Sequence, residues 1–276
     1  MDYKLLVLDV DGTLLNAENY ISDEDKNAIA EARSRGVIVA LCTGRVNQAT
    51  RNVLSSLDLD GYHIFSDGAV VVSADNKKII YAKTIDERQA RQLAGYVHEK
   101  RITTIDFFTA TDEYVELETQ PWFTDIRRNF FGLVPQVIDF GKLCECEHII
   151  KATHAVASVQ DRQLAKDFQC RFGDKLRFSV SNNASYPEID FFNIIDPGVS
   201  KGEAVRVLIN YLGLSVEECI GIGDGTNDIP LLCGVGLGIA MGHAPDALKK
   251  VAKFVTLDVE HSGVSAAVRK FILARK

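Results

Sequence analysis

The chain has 276 residues, 46% of them hydrophobic and 25% charged, which is the balance of an ordinary globular protein long enough to bury a substantial core. Lys and Arg number 31 against 38 Asp and Glu, and the formal charge of −7 argues against nucleic acid or an anionic membrane as the main partner. A small phosphorylated metabolite stays open as partner, because local cations or helix N-termini can hold it whatever the net charge.

Residues 4–8 read as a strand, and their apolar run is far too short for a signal peptide or a membrane span, so a cytoplasmic location is expected. Ser22 then offers an N-cap, Asp23-Glu24-Asp25 an acidic first turn, and Ala28, Ile29 and Ala32 a helical apolar face that ends at Gly36. Residues 37–41 form a continuous apolar strand of the parallel-sheet kind. Thr43-Gly44-Arg45 follows it, and a helix is predicted through about Leu57. Residues 62–82 read as short strands with a hairpin turn at Asp75-Asn76.

From about Thr84 the texture becomes α+β, with strands clustered rather than alternating with helices. A helix over 86–101 precedes strands at 102–108 and 114–117, joined by a turn at Ala110-Thr111-Asp112. A helix over 122–131 follows, and then a strand–helix–strand set at 149–159, 161–172 and 176–180. Alternation returns with a strand at 189–195, a helix at 199–212 and a strand at 219–222. A short helix at 228–233 tolerates Pro230 in its first turn. Strands at 235–240 and 254–256 and helices from Pro245 and Val264 complete the chain. The predicted fold is α/β: a doubly wound, Rossmann-like parallel-sheet core from residues 1–83 and 189–276, interrupted by an inserted α+β domain at 84–188.

Two stretches read as halves of one site. Asp9-Val10-Asp11-Gly12-Thr13 follows the first strand, and Gly223-Asp224-Gly225-Thr226-Asn227-Asp228 follows Cys219-Ile220-Gly221-Ile222. Both lie at the carboxyl ends of strands, where open α/β sheets bind ligands. Four converging carboxylates repel one another unless a cation joins them, and hard oxygen ligands of this kind suit Mg²⁺. One of Asp9 and Asp11 can attack phosphorus while the other protonates the leaving oxygen, although an Asp-Gly pair also simply favours a bend. Thr43 offers a hydroxyl, Gly44 an unobstructed N–H, and Arg45 either a reach to substrate or a surface ion pair. Lys201 opens a helix against its dipole, which a phosphoryl oxygen would reward. Asp228 or Asn227 can serve as an N-cap, whereas Asp224 precedes the cap and needs another reason. The six cysteines (Cys42, Cys144, Cys146, Cys170, Cys219, Cys233) show no metal spacing and suit a reducing compartment.

These motifs, in this order, resemble the haloacid dehalogenase superfamily of phosphotransferases. With Ser66-Asp67-Gly68-Ala69 and Ile239-Ala240-Met241-Gly242-His243-Ala244 they resemble its Cof-type sugar phosphatase branch, whose inserted domain is a type IIB cap. The resemblance implies Asp9 as nucleophile and Asp11 as general acid and base. It implies Mg²⁺ held by Asp9, the Asp11 carbonyl and Asp224, with Asp228 close by. Val10, Thr43, Gly44, Lys201 and Asn227 then hold the phosphoryl group, and the cap closes over the core to exclude water. The chain departs from the family pattern at Asp67 and His243, where Asn is usual, at Gly225-Thr226, and at Asn193, which stands in the place of a Glu.

The expected function is a Mg²⁺-dependent phosphatase for a small phosphorylated metabolite. A phosphomutase is the alternative within the superfamily, although the cap lacks an Arg-Asn-Gly type cluster for a second phosphate. A non-catalytic phospho-ligand sensor on the same scaffold is the alternative outside catalysis. Arg127 and Arg128 are candidates for substrate contact, but adjacent Arg on a helix more often mark a solvated face.

Overall fold

The protein is described from a computed structural model over residues 2–116, 121–128, 135–183 and 186–274. It divides into two units, one comprising Met1–Tyr81 and Ser200–Lys276, the other Ala82–Val199.

In the first unit, β1 (Leu5–Leu8) is fully buried at all four residues, as a parallel strand covered on both faces must be. The helix α1 (Asp23–Ser34) starts where the Ser22 hydroxyl accepts the Asp25 N–H at 3.1 Å. It buries Ala28, Ile29 and Ala32 and stops before Gly36, whose φ of +86° continues no helix. The strand β2 (Ile38–Leu41) lies parallel to β1. The helix expected to follow directly is delayed, because Val46 is still extended. A 3₁₀ turn, Asn47–Thr50, and α2 (Arg51–Ser56) take its place, leaving residues 43–46 as a loop at the sheet edge. The strands β3 (Tyr62–Phe65) and β4 (Val70–Ser73) pair antiparallel, and β5 (Ile79–Ala82) completes a three-stranded sheet.

The inserted unit runs α3 (Glu87–Lys100), β6 (Ile105–Phe108), β7 (Glu113–Val115), α4 (Pro121–Ile126), β8 (Gln136–Val137), α5 (Phe140–Cys146), β9 (Lys151–Val156), α6 (Val159–Phe172), β10 (Arg177–Asn183) and β11 (Tyr186–Ile195). Its six strands form one sheet in the order β10-β11-β9-β6-β7-β8. Leu93 and Val97 of α3, Phe140 of α5 and Phe168 of α6 share a core with Phe107, Ala152, Phe192 and Ile194 of the sheet. The helix α5 was not expected, although Phe140, Leu143 and Cys144 have helical spacing and are buried. Residues 117 and 129–131 of the expected elements lie outside the described residues.

The expected return to the core at residue 189 comes later in the structure, at Ser200. The strand β11 pairs antiparallel with β9 on one side and β10 on the other, so residues 189–195 belong to the inserted sheet. A run as apolar as Ile189-Asp190-Phe191-Phe192-Asn193-Ile194-Ile195 announces a buried strand without saying which sheet buries it.

The first unit resumes with α7 (Lys201–Tyr211), β12 (Cys219–Gly223), α8 (Ile229–Cys233), β13 (Leu237–Ala240), α9 (Asp246–Val251), β14 (Phe254–Val255) and α10 (Gly263–Val268). Its main sheet is wholly parallel in the order β14-β13-β12-β1-β2, the expected doubly wound core. The consequence for function lies in its centre. Because β1 and β12 are neighbours, with Leu8 opposite Ile222, the chain leaves both strands side by side at Asp9 and Asp224. Among the described residues no helix is long and apolar enough to cross a membrane.

Candidate active site

Asp9, Asp224 and Asp228 each offer a carboxylate oxygen, and these atoms lie within 4.8 Å of one another. Two strand ends supply the first two residues, and a 3₁₀ turn, Thr226–Asp228, supplies the third. Lys201, the first residue of α7, points its ammonium into this cluster: Nζ donates to Asp9 Oδ1 at 2.7 Å and to Asp228 Oδ1 at 2.6 Å. The other Asp228 oxygen accepts the N–H groups of Asp224 and Gly225, both at 3.0 Å, and so fixes the loop that carries Asp224. Thr13 Oγ1 donates to Asp224 Oδ1 at 3.2 Å.

Three carboxylates therefore face one ammonium in a buried place. Burial pushes the Asp9 carboxyl well above its ordinary pKa, the nearby Asp228 charge pushes it further, and Lys201 only partly opposes them. Asp224 is raised by burial and then by Asp228. Burial lowers the Lys201 pKa, but Asp228 and Asp9 outweigh this and leave it well above the ordinary value. The cluster holds more negative charge than Lys201 neutralises, and its donors are all hard oxygens. That donor set fits a divalent cation of the Mg²⁺ type.

Asp11 points elsewhere. Its carboxylate takes a forked contact from Arg45, Nε at 2.8 Å and Nη2 at 2.5 Å, and its side chain is 57% exposed. The expected metal ligands thus split: the side chains of Asp9, Asp224 and Asp228 converge, and that of Asp11 does not join them. Thr43 is buried at the end of β2 and accepts the Arg45 N–H at 3.1 Å, which leaves its own hydroxyl hydrogen to donate. Beside it, a Cβ built on Gly44 meets the Asp67 carboxylate at 3.1 Å. Asn227 Nδ2 donates to Asp67 Oδ1 at 3.2 Å. Val10 is fully buried, and its carbonyl accepts the N–H groups of Leu14 and Leu15.

Several positions read differently once folded. Asp67 packs its carboxylate close to Gly44 and accepts from Asn227, and its residue stands at φ +58°, a conformation that Asp tolerates. His243 brings Nε2 to 3.7 Å from Asp224 Oδ2. The motif strings contained Asp67, His243 and Thr13, but nothing in their spacing assigned them a role. Asn193, in the place of the family's Glu, lies in β11, where it accepts from Thr153 at 3.1 Å and donates to Ser181 at 3.0 Å. Arg127 is not on a solvated face. It is buried in the inserted unit against Asp106, with Nε 3.8 Å from Glu113 Oε1, whereas Arg128 is exposed beside Asp125.

The family model of the haloacid dehalogenase-like hydrolases matches residues 6–268. The chain belongs to this family. Among curated relatives it is 28% identical over 286 residues to "Endoribonuclease YBEY, chloroplastic" of Arabidopsis thaliana, covering 98% of this chain but only 46% of that protein. The chain therefore spans less than half the length of that relative. With "5-amino-6-(5-phospho-D-ribitylamino)uracil phosphatase YcsE" of Bacillus subtilis it shares 27% identity over 99% of this chain and 97% of that protein. Among solved structures, TM0651 from Thermotoga maritima matches with a TM-score of 0.82 at 25% identity, over 97% of both chains. The fold of the HAD subclass IIB sugar phosphatase BT4131 matches with a TM-score of 0.75 at 24% identity, over 97% of this chain and 98% of that one. The expected class of the enzyme, a phosphoric monoester hydrolase, agrees with the names of its full-length relatives.

Proposed function

We propose that the protein is a Mg²⁺-dependent phosphatase that hydrolyses a small phosphorylated metabolite, of the sugar phosphate class, through a phosphoryl group carried on Asp9. The observation that carries this reading is the buried meeting of Asp9, Asp224 and Asp228 around Lys201 at the carboxyl edge of a parallel sheet. The names of its relatives, a phosphoribitylamino-uracil phosphatase and a sugar phosphatase, support the substrate class.

The three carboxylates, with the Asp11 carbonyl, would hold the cation. When bound it supplies positive charge against the phosphoryl oxygens and favours the ionised form of Asp9. An Asp9 oxygen forms the new bond to phosphorus as the ester oxygen leaves, and Asp11 gives that oxygen a proton. Asp11 then takes a proton from water as the water oxygen bonds to phosphorus and the Asp9 carboxylate is released. The Thr43 hydroxyl, the Gly44 N–H, the Lys201 ammonium and the Asn227 amide serve the equatorial oxygens, where charge accumulates. Arg45 positions Asp11 through its fork.

A panel of phosphorylated sugars and other metabolites, assayed for phosphate release with Mg²⁺ and with chelator, tests the reading. Phosphate release that requires Mg²⁺ and disappears in Asp9→Asn is expected. Isomerisation of a hexose 1-phosphate with its bisphosphate, without net phosphate release, would replace hydrolysis by mutase transfer. Binding without turnover of any substrate would replace it by sensing.

A further inference from the structure

We propose that His98, Glu116 and Asp139 form a second divalent-cation site within the inserted unit, suited to zinc or a similar borderline ion. One ligand atom of each residue lies within 4.8 Å of the others. The three come from separate elements: His98 from the last turn of α3, Glu116 from the residue after β7, and Asp139 from the N-cap of α5. The His98 Nδ1 to Glu116 Oε1 separation is 3.3 Å. Two ligands on a tetrahedral ion with bonds of about 2.0–2.1 Å stand about 3.3 Å apart, so this pair is spaced to share one.

Glu116 gives an independent reason. Its side chain is 5% exposed. Oε1 accepts the Phe140 N–H at 3.1 Å, but Oε2 is buried and has no hydrogen-bond partner among the described residues. A buried carboxylate with one oxygen lacking a donor is costly, and a cation held by the same carboxylate offsets that cost. Asp139 Oδ1 accepts the Lys142 N–H at 2.9 Å, which holds this carboxylate in place at the start of α5.

A plain ion pair between His98 and Glu116 is the competing explanation. It accounts for the 3.3 Å contact but gives no reason for a second carboxylate beside it. One imidazole nitrogen with two carboxylate oxygens is instead a mixed donor set of the zinc type, and the exposed side of His98 leaves a position for water. Bound there, the ion ties α3, β7 and α5 together and stabilises the unit by linkage.

The test uses the full chain carrying Asp9→Asn and Asp224→Asn, which disables the core carboxylate cluster. Zn²⁺ is titrated by calorimetry and Co²⁺ by visible absorption, and unfolding temperature is followed with and without each ion. One ion per chain, a Co²⁺ band of a nitrogen-containing site and a raised unfolding temperature are expected. Adding His98→Ala should remove all three, and Glu116→Gln, which keeps the Phe140 contact, should weaken binding at least tenfold. Absence of binding in the starting background would overturn the proposal, as would binding that survives both substitutions.

Discussion

Lys201 Nζ stands 2.6 Å from Asp228 Oδ1, with neither side chain more than 1% exposed. The pair is an internal support for the site: one Asp228 oxygen neutralises the lysine while the other holds the main chain at Asp224 and Gly225. Lys201→Met therefore leaves Asp9 and Asp228 buried with no counter-charge. Breaking a buried pair on one side costs about 3–5 kcal/mol. Denaturant unfolding should show a loss of that order, partly restored by added Mg²⁺, and phosphate release should fall by at least ~100-fold. Unchanged stability would mean that the ammonium is not what balances the cluster.

Gly12 sits at φ +79°, and a Cβ built there meets Asp224 Cγ at 2.7 Å. Gly12→Ala must displace that carboxylate and strain the backbone as well. The Mg²⁺ concentration for half-maximal activity should rise by about 10–100-fold, the usual consequence of misplacing a metal ligand. A titration of activity against Mg²⁺ reads it directly.

The core was legible because a buried parallel strand writes itself as an apolar run. The runs at Leu5-Leu6-Val7-Leu8 and Cys219-Ile220-Gly221-Ile222, each followed by carboxylates, placed both halves of the site. The same signal misplaced the end of the inserted unit, because residues 189–195 are equally apolar in an antiparallel sheet. Roles that depend on through-space partners were not legible. The Arg45 fork on Asp11 spans 34 positions in the chain, and the Asn227 contact with Asp67 spans 160. Arg127 reads as a surface residue until Asp106 and Glu113 are seen beside it.

That last cluster predicts a pH dependence. Burial raises Glu113 to about 8, helped by the Asp106 charge and opposed by Arg127, and burial raises Asp106 to about 6 against Arg127. The folded state then holds more protons than the unfolded chain, whose acids titrate near 4.5 and 3.8. The contribution of these two acids to stability is fully present below those unfolded values and is lost as pH rises through about 6 and 8. Denaturant unfolding between pH 5 and 8 should show a decline of, at most, about a few kcal/mol in this window. Glu113→Gln, which resembles the protonated acid, should flatten it and make the variant the more stable form at pH 8. An equal slope in both proteins would contradict this assignment.

Arg45 bears on the proton step. Arg45→Ala frees Asp11 and should lower kcat/KM by about 10–100-fold through loss of placement. Asp11→Asn should be selective in its damage. An alkyl phosphate needs its leaving oxygen protonated, whereas p-nitrophenolate leaves without help, so kcat/KM, which reports the first transfer, should fall much more for the alkyl ester. Equal losses of kcat/KM on the two esters would remove Asp11 from the role of acid.

The central claim is that Asp9 carries the phosphoryl group, and an acid quench tests it most directly. Asp11→Asn protein is mixed with Mg²⁺ and p-nitrophenyl phosphate labelled in its phosphoryl group, quenched within the first turnover, and mapped by peptide. The first transfer proceeds without an acid, while attack by water is slowed, so label should accumulate on the peptide containing Asp9 and be absent from Asp9→Asn. Release of p-nitrophenol with no protein-bound label at Asp9, or with label on another residue, would contradict the account.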